Sequence, residues 1–324
     1  MNSSQDSQSS CSNLSVVVES NDVPKILEKR PQFGTRYLKE GDDVYSYNAW
    51  DNVEWDENQQ KAAEEIICQH LASKMSLADY EKIEENADQY WNEFYSIHSD
   101  KFYKDRHWLF TEFPELSFDT SNIDVKSTPI LEENVILEVG CGVGNTIFPI
   151  LQHNQNANIR IYGCDFSATA IEIFKNNEAY DPNKCTAFVY DITSEEELPV
   201  AENSVHVILM IYVLSSVHPE KMKFVIQKLH RYLKPGGLIL FRDYGRYDLS
   251  QLRFKKGRCI TDNFYARGEG TLVYFFDTEE ISQMFSSCGY DVKQIICDKR
   301  LQVNRRKQLK MYRVWIQGKF MKPI

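Results

Sequence analysis

The residues with the clearest chemical meaning in this sequence are three glycines in the stretch LEVGCGVGN. Gly140, Gly142 and Gly144 follow an apolar run and precede a helical pattern. The backbone must therefore turn sharply there and let a ligand approach closely. Two classes of cofactor use such a loop, and the dinucleotide class spaces its glycines as GxGxxG. The spacing here is GxGxG, with Glu138 two residues before the first glycine, so the dinucleotide pattern is not matched.

The combined pattern, E-x-G-x-G-x-G, resembles the S-adenosylmethionine loop of the Rossmann-like methyltransferases. Four further residues at the ends of apolar runs agree with that resemblance. Asp165 could accept hydrogen bonds from both ribose hydroxyls, and Asp191 one from the adenine amino group. Ile192 offers an apolar or backbone contact, and Ile211 offers a surface on which the adenine could pack.

These four positions also have a second interpretation. Asp165 and Asp191 could cap the helices that follow them, and Ile211 could belong to the core. Either interpretation holds easily for one residue alone. Because all four stand at the carboxyl ends of predicted strands, where open α/β sheets bind ligands, the pattern favours cofactor binding.

An alternation of strands and helices positions these residues. Apolar runs occur from Asn134 onward, at 134–140, 159–165, 185–191, 205–214 and 237–243. Helical patterns lie between them, near 146–153, 167–179 and 219–233. The segment KPGG at 234–237 predicts a break between the last of these helices and its strand. Continuous apolar strands separated by helices indicate a parallel sheet covered on both faces.

The C-terminal part predicts two more strands. After an insertion at 246–277 comes a helix at 278–288, then strands near 290–297 and 311–320 with a basic loop, KRLQVNRRKQLK, between them. The pattern predicts an α/β protein, and the resemblance of the glycine loop implies a Rossmann-like class I methyltransferase fold. Its sheet is expected to be mostly parallel and seven-stranded, with helices on both faces and an N-terminal helical and aromatic extension.

Composition divides the chain into three predicted regions. Residues 1–30 are rich in Ser and Asn and are predicted to be a disordered tail. Residues 31–130 form an N-terminal extension and lid, with an aromatic arm at 33–56 and helical patterns at 57–72 and 77–98. Residues 131–324 form the predicted S-adenosylmethionine-binding domain.

The charge of the chain is unevenly distributed. The net charge is −10, which argues against a protein that coats nucleic acid through overall basicity. Residues 40–133 hold 23 Asp or Glu and 7 Lys or Arg, a net of −16. Residues 293–324 hold 10 Lys or Arg and one Asp, a net of +9. A basic C-terminal segment in an acidic protein favours a contact with nucleic acid there.

Cysteine usage and hydropathy indicate the cellular compartment in which we expect the protein. The eight cysteines form no CxxC pair and no HExxH motif occurs, so we predict no metal and a reduced, cytoplasmic compartment. No apolar run reaches the roughly 18 residues that a membrane span needs. The stretch MNSSQDSQSSCSNLS lacks the cationic start and apolar run of a secretory signal, and the arginines of a mitochondrial transit peptide.

The segments around these motifs point to the acceptor. The fourth apolar run continues as IYVLSSVH rather than as an NPPY-type or DPPY-type tetrad, and no Pro-Cys nucleophile stands at a strand end. Most of the chain from about Phe33 onward resembles the methyltransferase-like family of tRNA N3-methylcytidine methyltransferases. The segments that carry the resemblance are NAWDNVEWDE (48–57), YWNEFY (90–95), FYKDRHWLFTEFPEL (102–116), ILEVGCGVGNTIFP (136–149), YVLSSVHPEKM (212–222) and LFRDYGRYDLSQLRF (240–254).

This resemblance implies a cofactor, a substrate and a partner. The cofactor is S-adenosyl-L-methionine, and the substrate is tRNA bound through its anticodon stem-loop. The arm with NAWDNVEWDE is similar to the branch that acts on threonine tRNA, in which the methylated cytidine stands at position 32 of the anticodon loop. Some members of the family need an accessory protein such as a tRNA synthetase, and the sequence leaves that requirement open.

The implied reaction needs few catalytic groups. N3 of neutral cytosine carries an in-plane lone pair and can attack the sulfonium methyl directly, without a strong general base. Alignment and tolerance of the cationic product matter more. Asp243, in the segment FRDYG, could stabilise that charge; its alternative role is a structural contact with the region of Arg242 or Arg246.

The remaining site residues follow partly from the resemblance and, for the basic C-terminal residues, from the distribution of charge. Trp91 and Tyr95, four residues apart on one helical face, correspond to positions that cover the cofactor, with ordinary helix packing as the alternative. Residues of the aromatic stretch at 102–113, FYKDRHWLFTEF, could bind the nucleotide. The basic C-terminal residues could bind tRNA phosphates. A buried cluster and a solvated loop are their respective alternatives. The implied substrate-binding set is Arg106, His107, Trp108, Arg242, Tyr244, Arg305, Arg306 and Lys307.

Two other functions stay open from the sequence. The protein could methylate a protein or a small molecule, or it could be a non-enzymatic tRNA-binding module that has kept the fold. The intact glycine loop, Asp165 and Asp191 argue against a loss of cofactor binding.

Overall fold

The described part of the chain contains eleven β-strands. The computed structural model describes residues 34–118 and 133–324, and the predicted disordered tail at 1–30 lies outside them. The strands are β1 (Ala49–Asp51), β2 (Asn134–Val139), β3 (Ile159–Asp165), β4 (Cys185–Val189), β5 (Val205–Ile211), β6 (Leu233–Tyr244), β7 (Cys259–Thr261), β8 (Phe264–Ala266), β9 (Leu272–Tyr274), β10 (Asp291–Asn304) and β11 (Leu309–Met321).

Eight of these strands form one central sheet in the order β1-β10-β11-β6-β5-β2-β3-β4. The five strands from β6 to β4 pair in parallel, and β10 and β11 add an antiparallel hairpin beside β6. The predicted Rossmann-like, mostly parallel sheet is confirmed. It has one strand more than predicted, because the N-terminal arm contributes β1 at its edge.

Nine helices accompany the strands in the described ranges. They are α1 (Glu57–Leu71), α2 (Leu77–Glu85), α3 (Ala87–His98), α4 (Leu109–Glu112), α5 (Ile147–His153), α6 (Ala168–Lys175), α7 (Pro219–Tyr232), α8 (Leu249–Leu252) and α9 (Thr278–Ser287). The single helix predicted at 77–98 is divided at Asn86, whose backbone leaves helical geometry (φ −117°, ψ 23°). None of these helices is long and apolar enough to cross a membrane.

Alternating side chains of the parallel strands bury two separate cores. In β2, Leu137 belongs to a core shared with α7 and α9, whereas the neighbouring Ile136 belongs to a core shared with α5 and α6. Both side chains are fully buried. Because successive side chains of a strand point to opposite faces, the sheet is covered by helices on both sides. This arrangement leaves the carboxyl ends of the parallel strands as the edge where a site can form.

The aromatic arm docks on the far edge of the sheet. Trp50 is buried to 2% exposure against Leu301 and Val303 of β10, and its indole N–H donates to the carbonyl of Val44 at 2.8 Å. Truncating such a buried tryptophan to alanine costs about 3–5 kcal/mol of folding free energy. The arm is therefore part of the folded domain.

Two boundaries predicted near the C-terminus are wrong. The segment 299–310, predicted as a basic loop, is mostly strand, because β10 continues to Asn304 and β11 begins at Leu309. Leu301 and Val303 within it are buried under the arm, which a local pattern does not show. The KPGG segment, predicted as a break, lies within β6, which begins at Leu233 directly after α7.

The insertion at 246–277 forms a small structure of its own. It contains α8 and the antiparallel sheet β7-β8-β9. Phe264 and Tyr265 of β8 are buried, and Phe264 joins the core of α7 and α9. The insertion is thus packed on the main domain, next to the carboxyl ends of the strands.

Candidate active site

A cavity of about 760 Å³ opens at the carboxyl ends of β2, β3, β4 and β5. Its lining comes from the parallel strands, from α3, from the segment before α4, from the insertion and from β11. The residues used below are Trp91, Tyr95, Tyr103, Arg106, Trp108, Gly140, Gly142, Asp165, Asp191, Ile192, Ile211, Tyr212, Tyr244, Arg267, Arg313 and Trp315. Nearly all of the predicted cofactor residues line this one space.

The glycine loop needs its glycines for two separate reasons. Gly140 and Gly142 have φ values of +66° and +51°, a region that side chains rarely adopt. A Cβ atom on Gly140 would lie 2.4 Å from Val213 Cγ2, and one on Gly142 would lie 2.6 Å from Tyr95 Oη. The loop is therefore pressed closely between the fourth parallel strand's end and α3. Gly144, also at positive φ, packs on Phe148 instead and does not line the cavity.

Asp165 joins the second parallel strand to the glycine loop. Its Oδ2 accepts from the backbone N–H of Gly142 at 2.8 Å, and its Oδ1 accepts from the N–H of Ser167 at 2.9 Å. Burial raises the pKa of this carboxyl to about 6, and the two N–H donors oppose that shift. The residue is 8% exposed, so its remaining acceptor capacity faces the cavity, where hydroxyl donors of a ligand could use it.

We call the cofactor half the part of the cavity that is lined by Gly140, Gly142, Asp165, Asp191, Ile192 and Ile211. The segment after β4 and the end of β5 contribute one end of it. Asp191 lies two residues after β4 and accepts from the backbone N–H of Thr193 at 2.8 Å, which closes a turn. No helix lies in residues 190–204, between β4 and β5, so the helix-capping alternative does not apply to Asp191. Asp191 lines the cavity, together with the buried Ile192 and Ile211. One acidic and two apolar residues thus meet at one place, as an adenine ring would require.

Glu138 supports the loop from below. It is fully buried and does not line the cavity. Burial raises its pKa to about 8, although Arg106 opposes the shift. Arg106 Nη1 lies 3.6 Å from the Glu138 carboxylate and donates to Thr146 Oγ1 at 2.7 Å. These contacts fasten the aromatic stretch to the glycine loop, with Arg106 still facing the cavity.

Aromatic rings of α3 cover the same loop. Trp91 and Tyr95 stack with ring centroids 6.0 Å apart, and both line the cavity. Tyr95 is 6% exposed, and burial raises the pKa of its phenol. Trp91 and Tyr95 therefore both pack on each other and cover the cavity, because the face of α3 that carries them is the face that lines the cavity.

The opposite half of the cavity is aromatic and cationic. Tyr212 and Tyr244 lie with ring centroids 5.2 Å apart, and the Arg313 guanidinium lies 4.9 Å from the ring centroid of Trp315. Trp108 completes this group. We call this the acceptor half, defined by Trp108, Tyr212, Tyr244, Arg267, Arg313 and Trp315.

Four members of the acceptor half were missed by sequence reasoning: Tyr212, Arg267, Arg313 and Trp315. Tyr212 directly follows Ile211 and has a φ of +59°, which marks strain at many functional sites; its position at a strand end was a usable signal. Trp315 reaches the cavity only because β11 pairs with β6 in a register that sets it opposite Tyr244. No local pattern announces that register.

Asp243 and Arg242 lie behind the cavity wall. Asp243 is fully buried and accepts from the backbone N–H groups of Ser215 and Tyr244, each at 2.9 Å. Arg242 Nη2 donates to Asp298 at 2.6 Å, and its guanidinium lies 5.1 Å from the ring centroids of both Trp108 and Trp315. Neither residue lines the cavity. Their contacts hold the wall of the cavity, and their predicted roles toward the substrate stay predictions.

The other predicted substrate residues lie outside the cavity. His107 is exposed and does not line the cavity, although its neighbours Arg106 and Trp108 do. Arg305, Arg306 and Lys307 are exposed at the turn between β10 and β11. Across residues 34–118 and 133–324, no group of His, Cys, Asp or Glu side chains is arranged to hold a metal ion.

Comparisons with known proteins agree with this geometry. The family described as "Methyltransferase domain" matches residues 137–239. The tRNA N(3)-cytidine methyltransferase METTL2 of Danio rerio is 49% identical over 91% of this chain and 90% of its own length. The tRNA(Thr) (cytosine(32)-N(3))-methyltransferase of Saccharomyces cerevisiae is 44% identical over 90% of this chain, which spans 46% of that longer protein.

A solved structure supports the fold alone. The complex of the Haloferax volcanii Trm112 methyltransferase activator with a methyltransferase contains a chain that is 15% identical, with a TM-score of 0.51, over 72% of this chain and 98% of its own. Family membership follows instead from the sequence identity and its coverage. By those measures, and with a glycine loop and strand-end aspartates around one cavity, this chain belongs to the tRNA N(3)-cytidine methyltransferase family.

Proposed function

We propose that this protein methylates N3 of the cytidine at position 32 of the anticodon loop of threonine tRNA, with S-adenosyl-L-methionine as the methyl donor. The observation that carries the proposal is a single cavity with two unlike halves. One half has a glycine loop, Asp165 and Asp191; the other has aromatic rings and guanidinium groups. The similarity to the yeast tRNA(Thr) enzyme named above supports the tRNA and the position.

The cofactor half fits the proposed donor. Asp165 and Asp191 can accept from the ribose hydroxyls and the adenine amino group, while Ile192 and Ile211 provide an apolar surface. Bare glycine backbone lets a ligand approach where a Cβ atom would collide with Tyr95. The donor, when bound, supplies an electrophilic methyl group on a sulfonium. The residues of this half hold that group in place.

The acceptor half suits a flat base that becomes a cation. A cytidine in an anticodon loop can splay out and stack on an aromatic ring. The faces of Tyr212 and Tyr244 carry negative potential, which favours a cation over them by roughly 0.5–2 kcal/mol per ring. Trp315 already has the guanidinium groups of Arg242 and Arg313 at 5.1 and 4.9 Å from its ring centroid, so it offers apolar surface instead. Because cytosine N3 needs no proton removed before attack, catalysis depends on the alignment of N3 with the sulfonium methyl and not on a general base. We assign Asp243 the role of positioning Tyr244 and the turn Leu214–Ser216.

Other residues extend the contact with tRNA. We propose that Arg305, Arg306 and Lys307 bind phosphates of the anticodon stem, because they are exposed and belong to the basic C-terminal segment. The arm at 34–56 lies on the same hairpin through Trp50, and we propose that it helps to select threonine tRNA. A cytoplasmic location and a need for an accessory protein stay predictions, as do the domain boundaries.

A reconstitution experiment tests the proposed function. Purified protein, S-adenosyl-L-methionine and threonine tRNA are combined, and N3-methylcytidine is mapped by mass spectrometry after nuclease digestion. The matched controls are the same tRNA with uridine at position 32 and a serine tRNA. We expect product only on the first substrate. Methylation of a protein or small molecule without tRNA methylation, even with cell extract added, would support the rival enzyme function; failure to bind the donor by calorimetry would support the binding-module function.

A further inference from the structure

Arg267 is a cation of the cavity that the proposed cofactor site does not use. It follows β8 in the insertion, lines the cavity and is partly buried. Its guanidinium lies 5.7 Å from the ring centroid of Tyr244. Nη1 donates to Thr271 Oγ1 at 3.2 Å and to the carbonyl of Leu272 at 3.3 Å. The side chain is therefore held over the acceptor half by neutral partners.

Two other guanidinium groups of this region are paired with carboxylates. Arg242 pairs with Asp298, and Arg313 Nε donates to the buried Asp248 at 2.8 Å. Arg106 lies 3.6 Å from Glu138, whose raised pKa leaves that carboxyl largely protonated near pH 7, and it donates to Thr146 Oγ1. Within residues 34–118 and 133–324, no carboxylate oxygen comes within 4.0 Å of Arg267. The exposed Glu269 is linked to Arg267 through the Thr271 hydroxyl, which donates to Glu269 Oε1 at 3.1 Å. A partly buried cation without a carboxylate in direct contact is costly, and an arriving anion lowers that cost.

The turn that carries Arg267 is built to hold its direction. Its backbone N–H donates to the carbonyl of Thr271 at 2.8 Å, and its carbonyl accepts from Arg258 Nη1 at 3.3 Å. Gly270 closes the turn at φ +88°, and a Cβ atom there would lie 2.4 Å from Tyr90 Cδ1. Tyr90 precedes Trp91 on α3, so the turn is packed against the helix that covers the cofactor half. Such support lowers the entropy lost when a ligand is bound.

The field of Arg267 reaches groups that face the same space. Burial raises the pKa of the Tyr103 phenol, and the Arg267 charge is the largest effect opposing it. Burial likewise raises the pKa of the Tyr244 phenol, whose ring belongs to the acceptor half, and the Arg267 charge is again the largest effect opposing that shift. The positive charge of Arg267 therefore acts on the lining of the cavity, whereas Lys104 and Lys221 of the same lining are exposed.

We propose that Arg267 binds a backbone phosphate of the nucleotide that is methylated, an inference that rests on the proposed function. A guanidinium matches a phosphate with two parallel hydrogen bonds. The base itself is a poor partner, because N3-methylation makes it cationic. The insertion would thus fix the backbone while Tyr212, Tyr244 and Trp315 hold the ring. The other anion available to this cavity is the carboxylate of the methyl donor, and the test separates the two.

The test uses the full-length variants Arg267→Gln and Arg267→Lys. Affinity for threonine tRNA is measured between 50 and 200 mM salt, and binding of S-adenosylhomocysteine is measured by calorimetry. We expect Arg267→Gln to weaken tRNA binding and to reduce the slope of log affinity against log salt by about 0.7–1, the loss of one phosphate contact. Arg267→Lys should keep the slope, because it keeps the charge. S-adenosylhomocysteine affinity should stay within twofold in both variants.

Controls separate this inference from its rivals. Lys256→Gln changes an exposed cation of the same insertion that does not line the cavity, and its slope should equal that of the unchanged protein. A fall in S-adenosylhomocysteine affinity with an unchanged tRNA slope would assign Arg267 to the donor's carboxylate and overturn the proposal. An equal slope change in Lys256→Gln, or none in Arg267→Gln, would overturn it too. Failure of the proposed function differs: the unchanged protein would then not methylate threonine tRNA.

Discussion

The guanidinium of Arg300 in β10 lies 3.5 Å from the carboxylate of Glu112 in α4. The same guanidinium lies 2.9 Å from Asp298 and 3.7 Å from Asp51 of the arm. The side chains of Glu112 and Asp298 are each only 2% exposed. One partly buried cation therefore joins the arm, the basic hairpin and the aromatic stretch that borders the cavity, three parts that are far apart along the chain.

Removing that cation should destabilise the fold strongly. Arg300→Met removes the partner that three carboxylates share, although Asp298 keeps its pair with Arg242. Breaking a fully buried pair from one side costs about 3–5 kcal/mol, and we expect the loss here to be at most of that size. Urea denaturation measures the free energy of unfolding. Arg231→Met is the matched control, because Arg231 also pairs with two carboxylates, but at the surface, and its effect should be much smaller. Equal effects of the two substitutions would contradict the joining role of Arg300.

Asp191→Ala should weaken cofactor binding and leave tRNA binding almost unchanged. Loss of a charged hydrogen-bond acceptor costs roughly 1.5–3 kcal/mol, which predicts a fall of about 10- to 150-fold in S-adenosylhomocysteine affinity by calorimetry. Asp191→Asn, which keeps one acceptor oxygen, is expected to lose less. If affinity for tRNA falls by the same factor, misfolding rather than a lost contact explains the change.

Cofactor affinity should fall as the pH falls through about 6. Burial raises the pKa of Asp165 to about 6, and only the ionised carboxylate accepts from hydroxyl donors without presenting a proton of its own. At pH 7.5 the group is ionised and competent; at pH 5 it is mostly protonated. Calorimetric titrations of S-adenosylhomocysteine across this range check the sign. In Asp165→Asn the affinity should be lower throughout, and this component of the pH dependence should disappear.

Gly142→Ala should impair the site through Tyr95. The φ of +51° costs a non-glycine residue about 1–2 kcal/mol, and the new Cβ atom would lie 2.6 Å from Tyr95 Oη. We expect lower thermal stability and weaker cofactor binding. Tyr95→Phe removes the colliding oxygen, so the double variant should recover part of the affinity. Strictly additive losses in the double variant would show that the hydroxyl contact does not matter.

Reversing the charges of Arg305, Arg306 and Lys307 to Glu should weaken tRNA binding and flatten its salt dependence. Each lost phosphate contact lowers the slope by about 0.7–0.9. Lys61→Glu on α1, another exposed cation, serves as the control and should behave like the unchanged protein. An unaltered affinity and slope in the triple variant would assign these residues to a solvated turn.

The cofactor half could be predicted from the sequence because its determinants are local. Apolar runs set the parallel strands, and the residues directly after those runs, such as Asp165 and Asp191, come to one edge whenever parallel strands pair side by side. The glycine spacing describes a backbone path of a few residues. Neither inference requires knowledge of which distant segments touch.

The acceptor half depended on contacts that no local pattern contains. Trp315 meets Tyr244 through the register of an antiparallel pair, and Arg267 reaches the cavity because its turn packs on Tyr90 of α3. The sequence by itself determined that arginines and aromatic residues are plentiful around the motifs. Only the tertiary structure decided that Arg242 forms an ion pair with Asp298. It also decided that, among the described residues, no carboxylate lies within ion-pair distance of Arg267. The reason is physical: a charged side chain is free for a ligand only where folding has not already placed a counter-charge against it.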